Sequence, residues 1–274
     1  TTNKDGSQKT VTSENEKNAA GKMVSVTTTT NKDAAGNVTE TIQKKEIADA
    51  GKNTSVTVTT VTDSKGETSA KADVVKTGTK SASGTKETIS SDVVAQITEA
   101  AGTTDVVITQ KVVDKNGKTA YTVSVNAKDL SAGKKLTLVK YNKKTGKYTL
   151  YNKKTYKVTD AGVSQTIKDS GSYQLISEAD AAKLVKEILE TVKPAKKSKT
   201  VKEGNAASFA WSKELDIANV SKITYSSTDN SIAKIGKNGK ITAKKAGKVT
   251  LKATVTLKNG KKKVVSMKLS VQSK

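Results

Sequence analysis

The stretch ITYSSTDNSIAKIGKNGKITAKKAGKVTLKATVTL, Ile223 to Leu257, decides the fold of the last part of the chain. Val249, Leu251, Ala253, Val255 and Leu257 alternate with Thr250, Lys252, Thr254, Thr256 and Lys258. A period of two with apolar residues on one side describes a strand with one buried and one wet face. Ahead of it, Ile232, Ile235 and Ile241 sit among the turn residues Asn238-Gly239 and Ala246-Gly247, the spacing of short strands in a sandwich.

Working outward, side-chain parity constrains the final hairpin. A two-residue turn at Asn259-Gly260 would put Val265, Met267, Leu269 and Val271 on the wrong face. A three-residue loop Asn259-Gly260-Lys261 with a left-handed Gly is therefore expected, pairing Val255 with Val265 and Ala253 with Met267. Phe209 and Trp211, two apart, point the same way in a strand and are the expected bulky core anchors. Tyr225-Ser226-Ser227 through Ile235, then Gly239, Ile241-Thr242-Ala243, Gly247 and Val249 resemble the signature of the bacterial Ig-like domain, group 2, with Tyr225 in place of the usual Trp. That resemblance implies a β-sandwich over 194–274 in a bacterial surface protein, and it names no ligand.

Before this lies a mixed segment, 88–193. Ser91 is placed to cap a helix carrying Val93 and Ile97, with Gly102 as its stop. DVVITQKVVDKNGKTAYTVSVNAKDL reads as a hairpin turning at Asn116-Gly117. KKLTLVKYNKKTGKYTLYNKKTYKV reads as a second, with a four-residue loop from Lys143 to Gly146, and Val163 to Ile167 and Tyr173 to Ile176 as shorter strands. Ser177 is then placed to cap a helix with the stripe Leu184, Val185, Ile188, Leu189 and Val192, ended by Pro194. This order is similar to a module of surface proteins in Gram-positive bacteria of the gut Firmicutes type. Tyr141, Tyr148, Tyr151 and Tyr156 are the candidate ligand surface, because aromatic faces suit sugar rings. The competing reading is cross-strand packing in a half-buried sheet.

Residues 1–87 contain a repeat. TTTTNKDAAGNVTETI from Thr27 aligns with VTTVTDSKGETSAKAD from Val58, each with an Asp-x-x-Gly turn, at Asp33-Gly36 and Asp63-Gly66. Thr and Val favour the pleated backbone, and Asp with Gly supplies the turn. The expectation is a thin β-hairpin array in which each copy is braced by its neighbours. The alternative is a polar linker, since large apolar residues are few and no aromatic precedes Tyr121. The fold class expected for the whole is mainly β and multidomain: hairpin array, central α+β module, C-terminal Ig-like sandwich.

Composition narrows the chemistry. The 274 residues contain no Cys and no His, which removes thiolate chemistry, Cys/His zinc sites and His-based triads. The net charge is +23, carried by 49 Lys with no Arg, so the planar fork that reads guanine is missing and specific nucleic-acid binding is not expected. From Thr191 onward 20 Lys face 4 acids, against 12 Lys and 10 acids in the first 80 residues. No run approaches the ~18 apolar residues of a membrane helix. No signal peptide or wall-sorting tail is visible, so the chain reads as part of a longer protein. No acid pair, Ser-Lys dyad or phosphate loop stands out, so no catalytic, cofactor or metal residue is assigned. One covalent possibility is a Lys–Asn isopeptide crosslink, for which no triplet is singled out. The function expected is a non-enzymatic extracellular or cell-surface segment that spaces or presents binding domains. The alternatives are a module binding glycan or anionic wall polymer, and an enzyme fragment. The partner expected is a host or wall glycan or a protein.

Overall fold

A computed structural model describes residues 1–79, 85–167 and 170–274. Residues 80–84 and 168–169, inside the ranges 1–87 and 88–193, lie outside the described residues. The chain forms two compact units, Thr1–Lys147 with Thr155–Glu178, and Tyr148–Lys154 with Ala179–Lys274. It is mainly β and built of several sheets, as the alternating pattern required.

The elements run β1 (Gln8–Lys17), β2 (Met23–Lys32), β3 (Val38–Gly51), β4 (Thr54–Asp63), β5 (Thr68–Thr79), β6 (Thr85–Ile89), α1 (Ser91–Ala101), β7 (Val106–Asp114), β8 (Thr119–Asn126), β9 (Lys135–Asn142), β10 (Lys147–Lys157), β11 (Val163–Ile167) and β12 (Gly171–Ser177). After α2 (Glu178–Thr191) come β13 (Ser198–Lys202), β14 (Ala206–Ser208), β15 (Val220–Ser227), β16 (Ala233–Ile235), β17 (Lys240–Ala243), β18 (Gly247–Leu257) and β19 (Lys262–Gln272).

One sheet has the order β1-β2-β3-β4-β5-β7-β8-β12-β9-β10. Its first five strands form an antiparallel meander. The expected hairpins are therefore present, and strand pairing carries them into the next segment, where β5 pairs with β7 in parallel. β12 enters between β8 and β9, parallel to the first and antiparallel to the second. No local pattern in the sequence encodes that insertion.

One loop recurs. At Asn3–Gly6, Asn18–Gly21, Asp33–Gly36, Asp63–Gly66, Asp114–Gly117, Gly236–Gly239 and Leu257–Gly260, the Gly N–H donates to the carbonyl three residues back, and that residue's N–H donates to the carbonyl four ahead. This is a three-residue loop closed by a left-handed residue, and Gly36 (φ 86°) and Gly260 (φ 88°) supply that conformation without a Cβ clash. Where Asp leads, as at Asp33, its Oδ1 accepts the N–H groups of Ala35 and Asn37 at 2.9 Å. Asp63 and Asp114 do the same.

Two expected turns are refined by this rule. The hairpin turns at Asn116-Gly117 as expected, and its loop also takes in Lys115. The last hairpin does use three residues, but they are Lys258–Gly260, so Val255 pairs with Lys263 and Ala253 with Val265. The reason is that Gly takes the third loop position, not the second. Parity is unchanged by that shift, and Met267, Leu269 and Val271 are buried as expected.

Helix α1 lies over the β3–β5 part of the sheet. Its cap is Ser90, one residue before the expected Ser91, with Oγ accepting from Val93 N–H; Gly102 ends it in the left-handed conformation. Val93 and Ile97 are buried, and Val24, Ile47, Val56 and Val74 are buried in one row across β2–β5. Gln96, 4% exposed, is a polar residue inside this layer. Its Nε2 donates to Ala50 O at 2.9 Å, and its Oε1 accepts from Asn18 Nδ2 at 3.1 Å. Burying an amide this deeply is tolerable only when both ends are satisfied. Further along, Tyr121 and Tyr173 meet edge to face at 6.5 Å, and the Lys140 ammonium lies 5.6 Å from the Tyr173 ring centre.

The second unit contains the expected β-sandwich. A four-stranded sheet β13-β19-β18-β15 packs on a three-stranded sheet β14-β17-β16. Val249, Leu251, Ala253, Met267, Leu269 and Val271 face Phe209, Ala233, Ile235, Ile241 and Ala243. Pro194 lies beyond α2 and bridges to Trp211. The Lys263 ammonium donates to Leu189 O near the C-terminus of α2, where the helix dipole favours a cation.

Candidate binding surfaces

Phe209 and Trp211 lie just past β14, which ends at Ser208, so they do not share a continuous strand. They nonetheless act as core anchors. Phe209 is buried, with its ring centre 5.2 Å from Trp211 and 5.6 Å from Tyr225. Trp211 Nε1–H donates to Tyr225 Oη at 3.1 Å, which satisfies the indole in its half-buried position. Tyr225 thus joins the anchors and is committed to packing.

The candidate tyrosines divide between two strands. Tyr141 is in β9, opposite Ser172 of β12, and Tyr148, Tyr151 and Tyr156 are in β10. Along β10 Tyr148 and Tyr151, three apart, take opposite sides of the strand. Tyr148 is exposed, and Tyr141, Tyr151 and Tyr156 are half-buried. Leu150, between Tyr148 and Tyr151, is buried, and its N–H donates at 2.9 Å to Oδ1 of the buried Asn219.

The wet face of the four-stranded sheet is the other surface with a distinct chemistry. Positions alternating with the buried residues bring Lys248 and Lys252 from β18, Lys262 and Lys268 from β19, Lys222 from β15 and Lys202 from β13 to one side. All six are exposed. Between them lie hydroxyls in register: Thr224 beside Thr254, Lys252 flanked by Ser226 and Ser266, and Lys268 flanked by Thr250 and Ser198. The alternation in β18 was readable from the sequence. That β13 and β15 flank the pair, and add their own lysines, follows only from strand order.

Each unit also has a cleft among its described residues. One, about 420 Å³, is lined by Lys196, Lys199, Ser198, Thr200 and Ser208 with Ala195, Ala210 and Met267. The other, about 300 Å³, is lined by Asp129, Gly133, Lys134, Lys135, Leu136, Ser177 and Glu178, with Lys134 3.9 Å from Asp129. Among the described residues, no group of three or more acids could hold a metal ion, and no helix is long and apolar enough to cross a membrane.

Residues 190–266 match the family model of the bacterial Ig-like domain (group 2). No curated relative matches. Among solved structures, the surface layer protein SbsC, domains 1-6, is 14% identical over 96% of this chain and 48% of its own, with a TM-score of 0.26. The Bacteroides ovatus mixed-linkage glucan utilization locus SGBP-B, in complex with a heptasaccharide, is 10% identical over 80% and 53%, at 0.18. Protocadherin Gamma B2 cadherin domains 3-6 are 13% identical over 96% and 66%, at 0.24. The chain spans about half the length of the surface-layer structures it matches.

Proposed function

We propose that this chain is a non-enzymatic segment of an extracellular or cell-surface bacterial protein, one that spaces or presents other domains. The observation that carries the proposal is the meander β1–β5. In its outer rows the side chains on both faces reach water: Thr10, Thr30, Thr41, Thr62 and Thr68 form a row on one face, Val11, Thr29, Ile42, Val61 and Ser69 the next row on the other, and none of these is buried. Such a sheet is held by its ladders and cross-strand pairs, and it offers extent rather than a cleft. The Ig-like domain at 190–266 supports the same reading. We assign the source to Gram-positive bacteria from the likeness of the middle module, and read 1–87, 88–193 and 194–274 as the modules of the segment. A glycan or protein ligand of host or wall would then be met on an exposed face, with Tyr148 of β10 as the most accessible of the four tyrosines.

The test is display on intact cells. An epitope fused to a wall anchor is compared with the same epitope carried on the anchor through this chain. Antibody access should rise when the chain is inserted. Unchanged access, or hydrolysis of wall glycan by the purified chain, overturns the proposal.

A further inference from the structure

Charge is distributed unequally between the two units. Tyr148–Lys154 with Ala179–Lys274 holds 24 Lys against 7 acids, while the rest of the chain holds 25 against 19. In the first unit, lysines pair with carboxylates: Lys22 with Asp49 at 2.9 Å, Lys44 with Glu46 at 2.7 Å and Lys45 with Glu16 at 3.1 Å. On the wet face of β13-β19-β18-β15 they do not. Among the described residues, Lys202, Lys222, Lys248, Lys252, Lys262 and Lys268 have no ion-pair partner, and no strand position on that side is a carboxylate. The unit's acids lie instead on α2 and in the loops.

From this we infer that the wet face of the four-stranded sheet binds a linear polyol phosphate polymer. Strands ~4.8 Å apart and a two-residue step of ~6.8 Å place diagonal neighbours such as Lys252 and Lys268 roughly 8 Å apart. That is about one Debye length at physiological salt, so the lysines are held together at modest mutual cost. A flexible chain of phosphodiesters crossing the face meets successive ammonium groups, each a compact charge with three donors. The intervening Ser and Thr hydroxyls can exchange hydrogen bonds with the polyol. The face contains neither Arg nor an aromatic side chain, so it cannot stack bases, which disfavours single-stranded nucleic acid. Its one large exposed apolar side chain, Val264, is too little to enter a lipid surface. This inference does not depend on the spacing role.

The experiment uses the full chain and lipid-free poly(glycerol phosphate), with affinity measured against salt. If about four phosphates are neutralised, log K should fall against log salt with a slope of roughly −3. The variant Lys252→Ser/Lys262→Ser/Lys268→Ser should bind at least about tenfold more weakly and lose roughly two from that slope. Lys213→Ser/Lys237→Ser/Lys244→Ser removes equal charge from loops of the same unit and should change affinity by less than about twofold. Trp211 fluorescence confirms that both variants fold. Equal weakening in the two variants would mean that only net charge acts, and overturns the face. Absence of binding at low salt, or tighter binding of an oligonucleotide of equal phosphate number, overturns the polyol assignment.

Discussion

Replacing Phe209 by Ala tests the packing of the Ig-like domain most directly. The ring is 4% exposed and lies between the two sheets, against Trp211 at 5.2 Å and Tyr225 at 5.6 Å. Truncating a buried aromatic to Ala costs about 3–5 kcal/mol, because the cavity collapses only partly. Natural domains hold about 5–15 kcal/mol in all, so this loss takes about a fifth or more. For a domain below a hundred residues the urea dependence is about 1 kcal/mol/M, which turns the loss into a midpoint drop of about 3–5 M. Trp211 is the sole Trp of the chain, so its emission reports on this domain without interference from the first unit. Phe209→Leu keeps most of the apolar volume and should lower the midpoint by only about 1 M. Equal shifts for Ala and Leu, or an Ala shift below about 1 M, would refute the assignment of Phe209 as the centre of this core.

Other perturbations test other layers. Gln96→Leu leaves the Ala50 carbonyl buried without its amide donor and frees Asn18, and should cost about 1–3 kcal/mol in a far-UV melt of the first unit. Gly162→Ala puts a Cβ 1.7 Å from the Ile89 carbonyl at φ 101°, so the end of β6 must move. A loss of about 1–3 kcal/mol is expected there, with Trp211 emission unchanged. The Asn37 side-chain amide, followed by backbone N–H groups, holds the Asp33 carboxyl below the ordinary carboxylate value. A depressed value means a stabilising contribution present above the unfolded-state value and lost as pH falls through the folded one. Carbon-detected NMR titration should therefore place Asp33 below a peptide reference, and Asn37→Ala should raise it.

The parts of the fold legible in the sequence were those set by local repetition. The alternation of Val249 to Leu257 predicted which side of β18 is buried, and the Asp-x-x-Gly repeats predicted the hairpins of β2–β5. Loop boundaries were less legible, because Asn-Gly suggests a two-residue turn while the recurring loop needs Gly in its third place. Least legible were pairings between distant segments. The insertion of β12 between β8 and β9, and the parallel joins of β5 with β7 and β13 with β19, depend on tertiary packing that no window of sequence records. The lysine face was half-visible for the same reason: two of its strands contribute through adjacency alone.

The meander β1–β5 also bears on how such a protein could change in evolution. Strands two apart begin about 30 residues from one another, as Met23 and Thr54 do, and the same loop closes the β1–β2, β2–β3 and β4–β5 hairpins. Duplicating or deleting one such pair inside the genetic repeat would alter the width of the sheet by about 10 Å. Few new interior contacts would have to be invented, because outer rows such as the threonine ladder already tolerate solvent on either side. Reach could thus be adjusted in quanta by recombination, leaving the Ig-like end untouched.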